Sequence, residues 1–217
     1  MKIGVDGVLL GAWARIPARG RVLDAGTGCG LIALMAAQRS PTILIDALDT
    51  DTSSADEARQ NFEASPWADR LSAINSDFRC AAGAPYSLII SNPPFFDSGA
   101  DAGTDSRMAA RHAASLGPVS LISDGAGMLA PDGRIALVCP PSWLAPIAEA
   151  AAEEGMEISR ATFVSGTQRA KPKRVLLELC RAGKIRAVAI RHLAIESSPG
   201  QHTETYRRIT RKFYLKF

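Results

Sequence analysis

From Arg21 onward, short and partly β-branched apolar runs alternate with longer stretches of helical spacing, and this alternation constrains the chain more than any other feature. The runs are RVLDA (21–25), TILIDAL (42–48), LSAIN (71–75), YSLIIS (86–91) and RIALVC (134–139). Between them, GLIALMAAQR, SSADEARQNFEAS, LGPVSLISDGAGML and WLAPIAEAAAEEG carry apolar residues near a 3.6-residue period. Strands that alternate with helices read as βα units, and five in series build an open, doubly wound α/β sheet that is mostly parallel. Ahead of them, DGVLLGAWA reads as a short helix. After Gly155, EISRATFV and PKRVLLELCR read as strands separated by the polar, basic stretch SGTQRAKPK, and RAVAIRHLAIE is again β-rich. SSPGQ reads as a loop, and TETYRRITRKF as a last helix with Thr203 at its N-cap. The 217 residues show no internal repeat, and a single domain over 1–217 is the economical expectation.

Composition narrows the class. With 47% apolar and 22% charged residues the chain is neither disordered nor coiled-coil in character. No apolar run reaches a membrane-spanning length, and MKIGVDG lacks the apolar stretch of a signal peptide, so a cytoplasmic protein is expected. Cys29, Cys80, Cys139 and Cys180 are scattered, and the three histidines show no ligand spacing, so no metal is expected. Charge is lopsided. Residues 1–158 hold 11 Lys and Arg against 19 Asp and Glu, whereas residues 159–217 hold 14 against 3. A basic C-terminal portion on an acidic body is a footprint for a polyanion such as RNA.

The first chemical motif is D-A-G-T-G-C-G, Asp24 to Gly30, placed between a strand and a helix. That turn lies at the carboxyl edge of a parallel sheet, where ligands bind, and glycines let backbone approach them. A dinucleotide site has G-x-G-x-x-G spacing. Here Gly26, Gly28 and Gly30 give G-x-G-x-G, which resembles motif I of class I methyltransferases, whose loop passes under S-adenosylmethionine. Asp49 ends the second strand and can accept two ribose hydroxyls. Asp77 follows the third, and the resemblance implies that it meets the adenine amino group.

The second motif, Asn92-Pro93-Pro94-Phe95-Phe96, follows the fourth strand and therefore faces the same crevice. An exocyclic amino group conjugated to a ring is planar and a poor nucleophile. Two acceptors on its N–H bonds hold it in line with a methyl donor and favour pyramidal geometry. The Asn92 side-chain oxygen and the Pro93 carbonyl are the candidate acceptors, the prolines stiffen the turn, and Phe95 offers a face for a splayed base. Phe96 is a second substrate candidate. Downstream, GADAGTDSRMAARH suits a substrate lid in which Arg107, Arg111 and His112 meet phosphate or base.

With D-x-G-x-G-x-G followed by N-P-P-F, the chain resembles the amino-methyltransferases of class I fold, which act on adenine, guanine or protein glutamine; NPPF alone does not choose among them. MKIGVDGVLLGAWA, LDAGTGCGLIALMAAQR, IDALD, SPWADR, LIISNPPFF, RVLLE and ITRKFYL resemble more closely the bacterial tRNA (adenine-N6) methyltransferases that act 3′ of the anticodon of a valine tRNA. That resemblance implies a Rossmann-like, seven-stranded sheet with an antiparallel edge strand. It also implies S-adenosylmethionine as cofactor, tRNA as partner, and Lys2, Asp6 and Gly7 near the methionine end of the cofactor; a monomer is expected. The family pattern begins with a further aromatic and basic segment ahead of MKIGVDG, which bears on affinity more than on chemistry. Lys171, Lys173, Arg174, Arg207, Arg208, Arg211 and Lys212 are the candidates for holding tRNA phosphates. An rRNA guanine or protein-glutamine methyltransferase is the alternative within the fold, and a non-catalytic RNA-binding module the alternative outside it.

Overall fold

In the computed structural model, which describes residues 4–82, 85–94 and 116–215, the five runs form a continuous parallel ladder. They are β1 (Arg21–Ala25), β2 (Leu44–Asp49), β3 (Leu71–Asn75), β4 (Tyr86–Ser91) and β5 (Leu129–Cys139). Three expected strands follow as β6 (Met156–Thr167), β7 (Arg174–Arg181) and β8 (Ala189–Ser198), and a two-residue β9 (Gln201–His202) closes the edge. The order across the sheet is β3-β2-β1-β4-β5-β7-β6-β8-β9.

The doubly wound α/β class is as expected, but two details are corrected: the sheet has nine strands rather than seven, and the long antiparallel strand is internal. β7 runs antiparallel to both β5 and β6. A turn closed by Ala170 N–H to Thr167 O and Lys173 N–H to Val164 O folds it back onto β6. Val175 to Cys180 are all buried, and a strand apolar on both faces needs cover on both and neighbours at each side. β8 begins with four exposed residues, which suits the periphery, and the short β9 limits the exposed edge.

Six α-helices are described. α1 (Val5–Trp13), α2 (Leu31–Arg39), α3 (Thr52–Glu63) and α6 (Glu204–Thr210) cover one face of the sheet, with Leu10, Ala33, Phe62 and Tyr206 in one core. α4 (Pro118–Gly125) and α5 (Leu144–Glu153) cover the other, with Leu121, Ile147 and Leu177 in a second. Local chemistry starts these helices. Asp51 accepts from Ser54 N–H at 2.8 Å ahead of α3, and Pro118 opens α4, where its missing N–H costs nothing. Thr203 accepts from Tyr206 N–H at 3.2 Å, the cap expected for α6.

Helix α1 is held across the sheet at both ends. Arg160 donates to the Trp13 carbonyl at 2.9 Å and to the fully buried Glu178 carboxylate at 2.7 Å, while Arg15 N–H donates to the same carboxylate at 2.7 Å. The Arg160 guanidinium lies 3.6 Å over the Trp13 ring, and the indole N–H donates to Thr162 at 2.9 Å. Among the described residues, no helix is long and apolar enough to cross a membrane.

Candidate active site

Both chemical motifs stand at the carboxyl edge of adjacent strands, β1 and β4. Asp24 pairs with Ile90, which brings Ala25 beside Ser91, and the buried Ser91 Oγ donates to the Ala25 carbonyl at 2.7 Å. The strand ends that lead into the glycine loop and into the Asn92-Pro93 turn are thus tied together. Asn92 is half-buried, Pro93 buried and Pro94 exposed.

The glycine loop requires its glycines. Gly26, Gly28 and Gly30 have φ of 70°, 57° and 82°, a region that L side chains rarely adopt. A Cβ on Gly26 would also approach Leu116 to 2.9 Å. The N–H groups of Gly26 and Thr27 donate to the Leu48 carbonyl at 2.8 and 3.0 Å, which stitches the loop to the end of β2.

Three carboxylates at the ends of β1, β2 and β3 are placed differently. Asp24 is fully buried; its Oδ2 accepts from the Thr27 hydroxyl at 2.7 Å and from Ala33 N–H at 3.1 Å, and its Oδ1 has no partner among the described residues. Burial pushes its carboxyl up to about 7, against the pull of the Thr27 and Ala33 hydrogen bonds. Asp49 accepts from Gly28 N–H at 2.9 Å and from Asp51 N–H at 3.0 Å, so it lies against the loop itself. Asp77 is bound by Arg79, whose Nε and backbone N–H each donate to Oδ1 at 2.9 Å, and the side-chain bond holds the Asp77 carboxyl below its ordinary value.

Other candidates are spread more widely. Asp6 accepts from Arg174 Nε at 2.7 Å, which joins a residue assigned to the cofactor with one assigned to RNA. Lys171 and Lys173 are exposed in the turn between β6 and β7. Arg207 and Arg208 are exposed on α6, and Arg211 and Lys212 are exposed just beyond it. Lys2, Phe95, Phe96, Arg107, Arg111 and His112 lie outside the described residues. Ser91 and Thr27 were not candidates; a hydroxyl just before Asn92, and one within the glycine loop, were the available signals. Among the described residues no group of three or more His, Cys, Asp or Glu could hold a metal.

The family model for the methyltransferase small domain matches residues 8–143. Over the whole chain the sequence is 40% identical to a tRNA1(Val) (adenine(37)-N6)-methyltransferase of Parabacteroides distasonis, of which it covers 92%. The chain belongs to this methyltransferase family. A tRNA1(Val) (adenine(37)-N6)-methyltransferase of Aeromonas hydrophila is likewise 40% identical, with 100% of this chain and 91% of the relative covered. Among solved structures, a predicted O-methyltransferase from Agrobacterium tumefaciens superposes with a TM-score of 0.71 over 95% of this chain and 96% of its own, at 18% identity. The 16S rRNA N2 G1207 methyltransferase of Thermus thermophilus, solved with AdoMet and guanosine, gives a TM-score of 0.57 at 20% identity over 83% of this chain and 44% of its own. At these identities the likeness is one of fold.

Proposed function

We propose that this chain transfers the methyl group of S-adenosylmethionine to the N6 amino group of adenine in tRNA, at the adenosine 3′ of the anticodon of a valine tRNA. The observation that carries the reading is the Ser91–Ala25 hydrogen bond, which fixes the Asn-Pro-Pro turn against the glycine loop in a chain related over its full length to tRNA adenine-N6 methyltransferases.

The residues fit that cofactor. Three glycines at positive φ leave a backbone cradle, Asp49 lies against it, and Asp24 Oδ1, at the end of β1 that leads into the loop, is a buried polar atom with no partner among the described residues. Asp49 would take the ribose hydroxyls, Asp77 the adenine amino group, and Asn92 would border the methyl. When bound, the cofactor supplies an electrophilic methyl on a sulfonium.

The protein's part is orientation. The Asn92 side-chain oxygen and the Pro93 carbonyl accept the two N–H bonds of the base amino group and draw its lone pair out of the ring. Burial of Pro93 and the fixed φ of both prolines keep those acceptors still. Phe95 stacks the base, and the proton of the alkylated nitrogen leaves to water, so no general base is needed. Basic residues of the C-terminal portion bind phosphate and set register without reading sequence. A cytoplasmic monomer completes the reading.

The test is incubation with labelled S-adenosylmethionine and unmodified total tRNA or rRNA, followed by nucleoside mass spectrometry. N6-methyladenosine in a valine tRNA is the expected product. N2-methylguanosine in rRNA, or label only in protein, overturns the assignment.

A further inference from the structure

A cavity of about 370 Å³ opens near the carboxyl end of β6, bordered by Ser165, Gln168, Pro172, His192, Ala194 and Thr203. Its volume falls within the roughly 300–1,000 Å³ of small-ligand pockets. β6 and β8 stand three and four strands beyond β4 in the sheet. At about 4.8 Å per strand, the cavity is roughly 14–19 Å from Asn92 along the same edge. It is therefore separate from the methyl-transfer site, yet within reach of a short run of nucleotides.

The walls are pinned before any ligand arrives. Thr203 Oγ1 donates to the Ala194 carbonyl at 2.6 Å and caps α6, and Ser165 Oγ donates to the Thr167 carbonyl at 2.7 Å. His192 stacks on Phe163, with centroids 5.3 Å apart and planes 19° from parallel, and its imidazole is exposed. That is a flat, backed platform with one side towards solvent. Gln168, exposed at the rim, carries both a donor and an acceptor. Among the described residues, no carboxylate lines the cavity. Exposed Arg169, Lys171 and Lys173 alternate in sequence with the lining residues Gln168, Ala170 and Pro172 in the β6–β7 turn, and exposed Arg207 and Arg208 follow the lining residues Thr203 and Thr205 on α6.

A stacking platform, an amide at the rim and exposed cations in both adjoining segments make up the chemistry that binds a single unpaired nucleotide of an RNA strand. We propose that this cavity is a second nucleotide subsite, which takes an unpaired base of the RNA substrate a few positions from the methylated one, stacks it on His192 and holds its phosphates on the β6–β7 turn. The inference rests on RNA being the substrate. It adds that the enzyme grips a non-target base and does not hold the strand by phosphates alone.

Two variants test it, His192→Ala and His192→Phe, at an exposed position outside the proposed methyl-transfer site. Equilibrium binding to an anticodon stem-loop is measured beside methylation kinetics on the same RNA, and 2-aminopurine is placed in turn at each loop position. Loss of one stacked base is worth about 1–3 kcal/mol, so His192→Ala should raise Kd and KM about 5- to 150-fold with kcat and cofactor affinity unchanged. His192→Phe should restore binding, because any π face serves. One loop position should show fluorescence quenching that the Ala variant loses. A Kd within twofold of wild type for His192→Ala, or quenching that persists in it, overturns the subsite while wild-type methylation leaves the main reading standing. Wild-type protein that neither binds nor methylates the RNA overturns both.

Discussion

Arg174, the first residue of β7, is bonded through Nε at 2.7 Å to the Asp6 carboxylate in the first turn of α1, across 168 residues of sequence. The pair fastens the N-terminal end of α1 to the sheet edge, as Arg160 and Glu178 fasten its other end. Side chains exposed by 32% and 28% make it a partly solvated bridge, worth at most about 1 kcal/mol. A double-mutant cycle with Asp6→Asn and Arg174→Gln should therefore give a small coupling in urea denaturation. If Asp6 also serves the cofactor, Asp6→Asn should weaken S-adenosylmethionine binding more than Arg174→Gln does; equal effects would reduce its role to holding α1.

The buried clasp at the far end of α1 carries more energy. Removing one member of a buried ion pair strands the other charge, at a cost of about 3–5 kcal/mol. Glu178→Ala, which strands Arg160 and leaves Arg15 N–H without its carboxylate, should lower the thermal midpoint by roughly 10 °C, on a scale of about 2–4 °C per kcal/mol at this chain length. A loss below about 1 kcal/mol by denaturant titration would mean that water has replaced the carboxylate.

Asp24 gives the fold a pH dependence of unusual sign. Its folded pKa of about 7 lies above the value of about 3.9 for an exposed Asp. Between those values the folded chain keeps a proton that the unfolded chain gives up, so this group's contribution to stability falls as pH rises from about 4 to about 7 and then levels off. Asp24→Asn should match wild type near pH 4 and exceed it at pH 8, by on the order of 4 kcal/mol. Calorimetry should also show proton release when the cationic cofactor binds at pH 6, because a nearby positive charge favours the carboxylate. A difference in midpoint that stays constant across this pH range would place the titration elsewhere.

Asn92→Ala removes one of the two proposed amino-group acceptors. By analogy with the loss of one preorganised polar contact, kcat should fall about 10²- to 10³-fold, while equilibrium dialysis still detects bound cofactor. Turnover within tenfold of wild type would reject the role given to the Asn-Pro-Pro turn.

Charge reversal at Arg207, Arg208 and Arg211 tests the basic C-terminal portion. Each lost phosphate contact should lower the slope of log affinity against log salt by about 0.7–0.9, with kcat at saturating RNA preserved. An unchanged slope would show that these exposed side chains do not touch the RNA backbone.

Much of the fold was legible because its signals are local. The strand runs, the glycine loop and the Thr203 cap each depend on neighbouring residues; the loop and the cap form where the pattern places them, and the strands form on their runs with some longer bounds, β5 beginning at Leu129 at the end of a stretch read as helical. The internal position of β7 was not legible, because it depends on which distant strands the buried VLLELC run joins. The buried acids within apolar runs were equally opaque. Asp46 is satisfied by Arg21 at 2.6 Å and by the Tyr86 hydroxyl at 2.9 Å, and Glu178 by Arg160 and the Arg15 amide, partners that only the folded sheet assembles. At the candidate site, residue types pointed to the edge, but the bond from Ser91 to Ala25 depends on strand register, which no local pattern encodes.

That bond also sets the tolerance to which this protein must be folded. A slip of one residue between β1 and β4 would carry Asn92 about 3.3 Å along the strand axis relative to the glycine loop and turn Ser91 to the opposite face of the sheet. The lost Ser91–Ala25 contact would then mark every misaligned chain. One small hydroxyl thus couples the alignment of two core strands to the contact between the loops they carry, so that an error of register would reach the site before any substrate does.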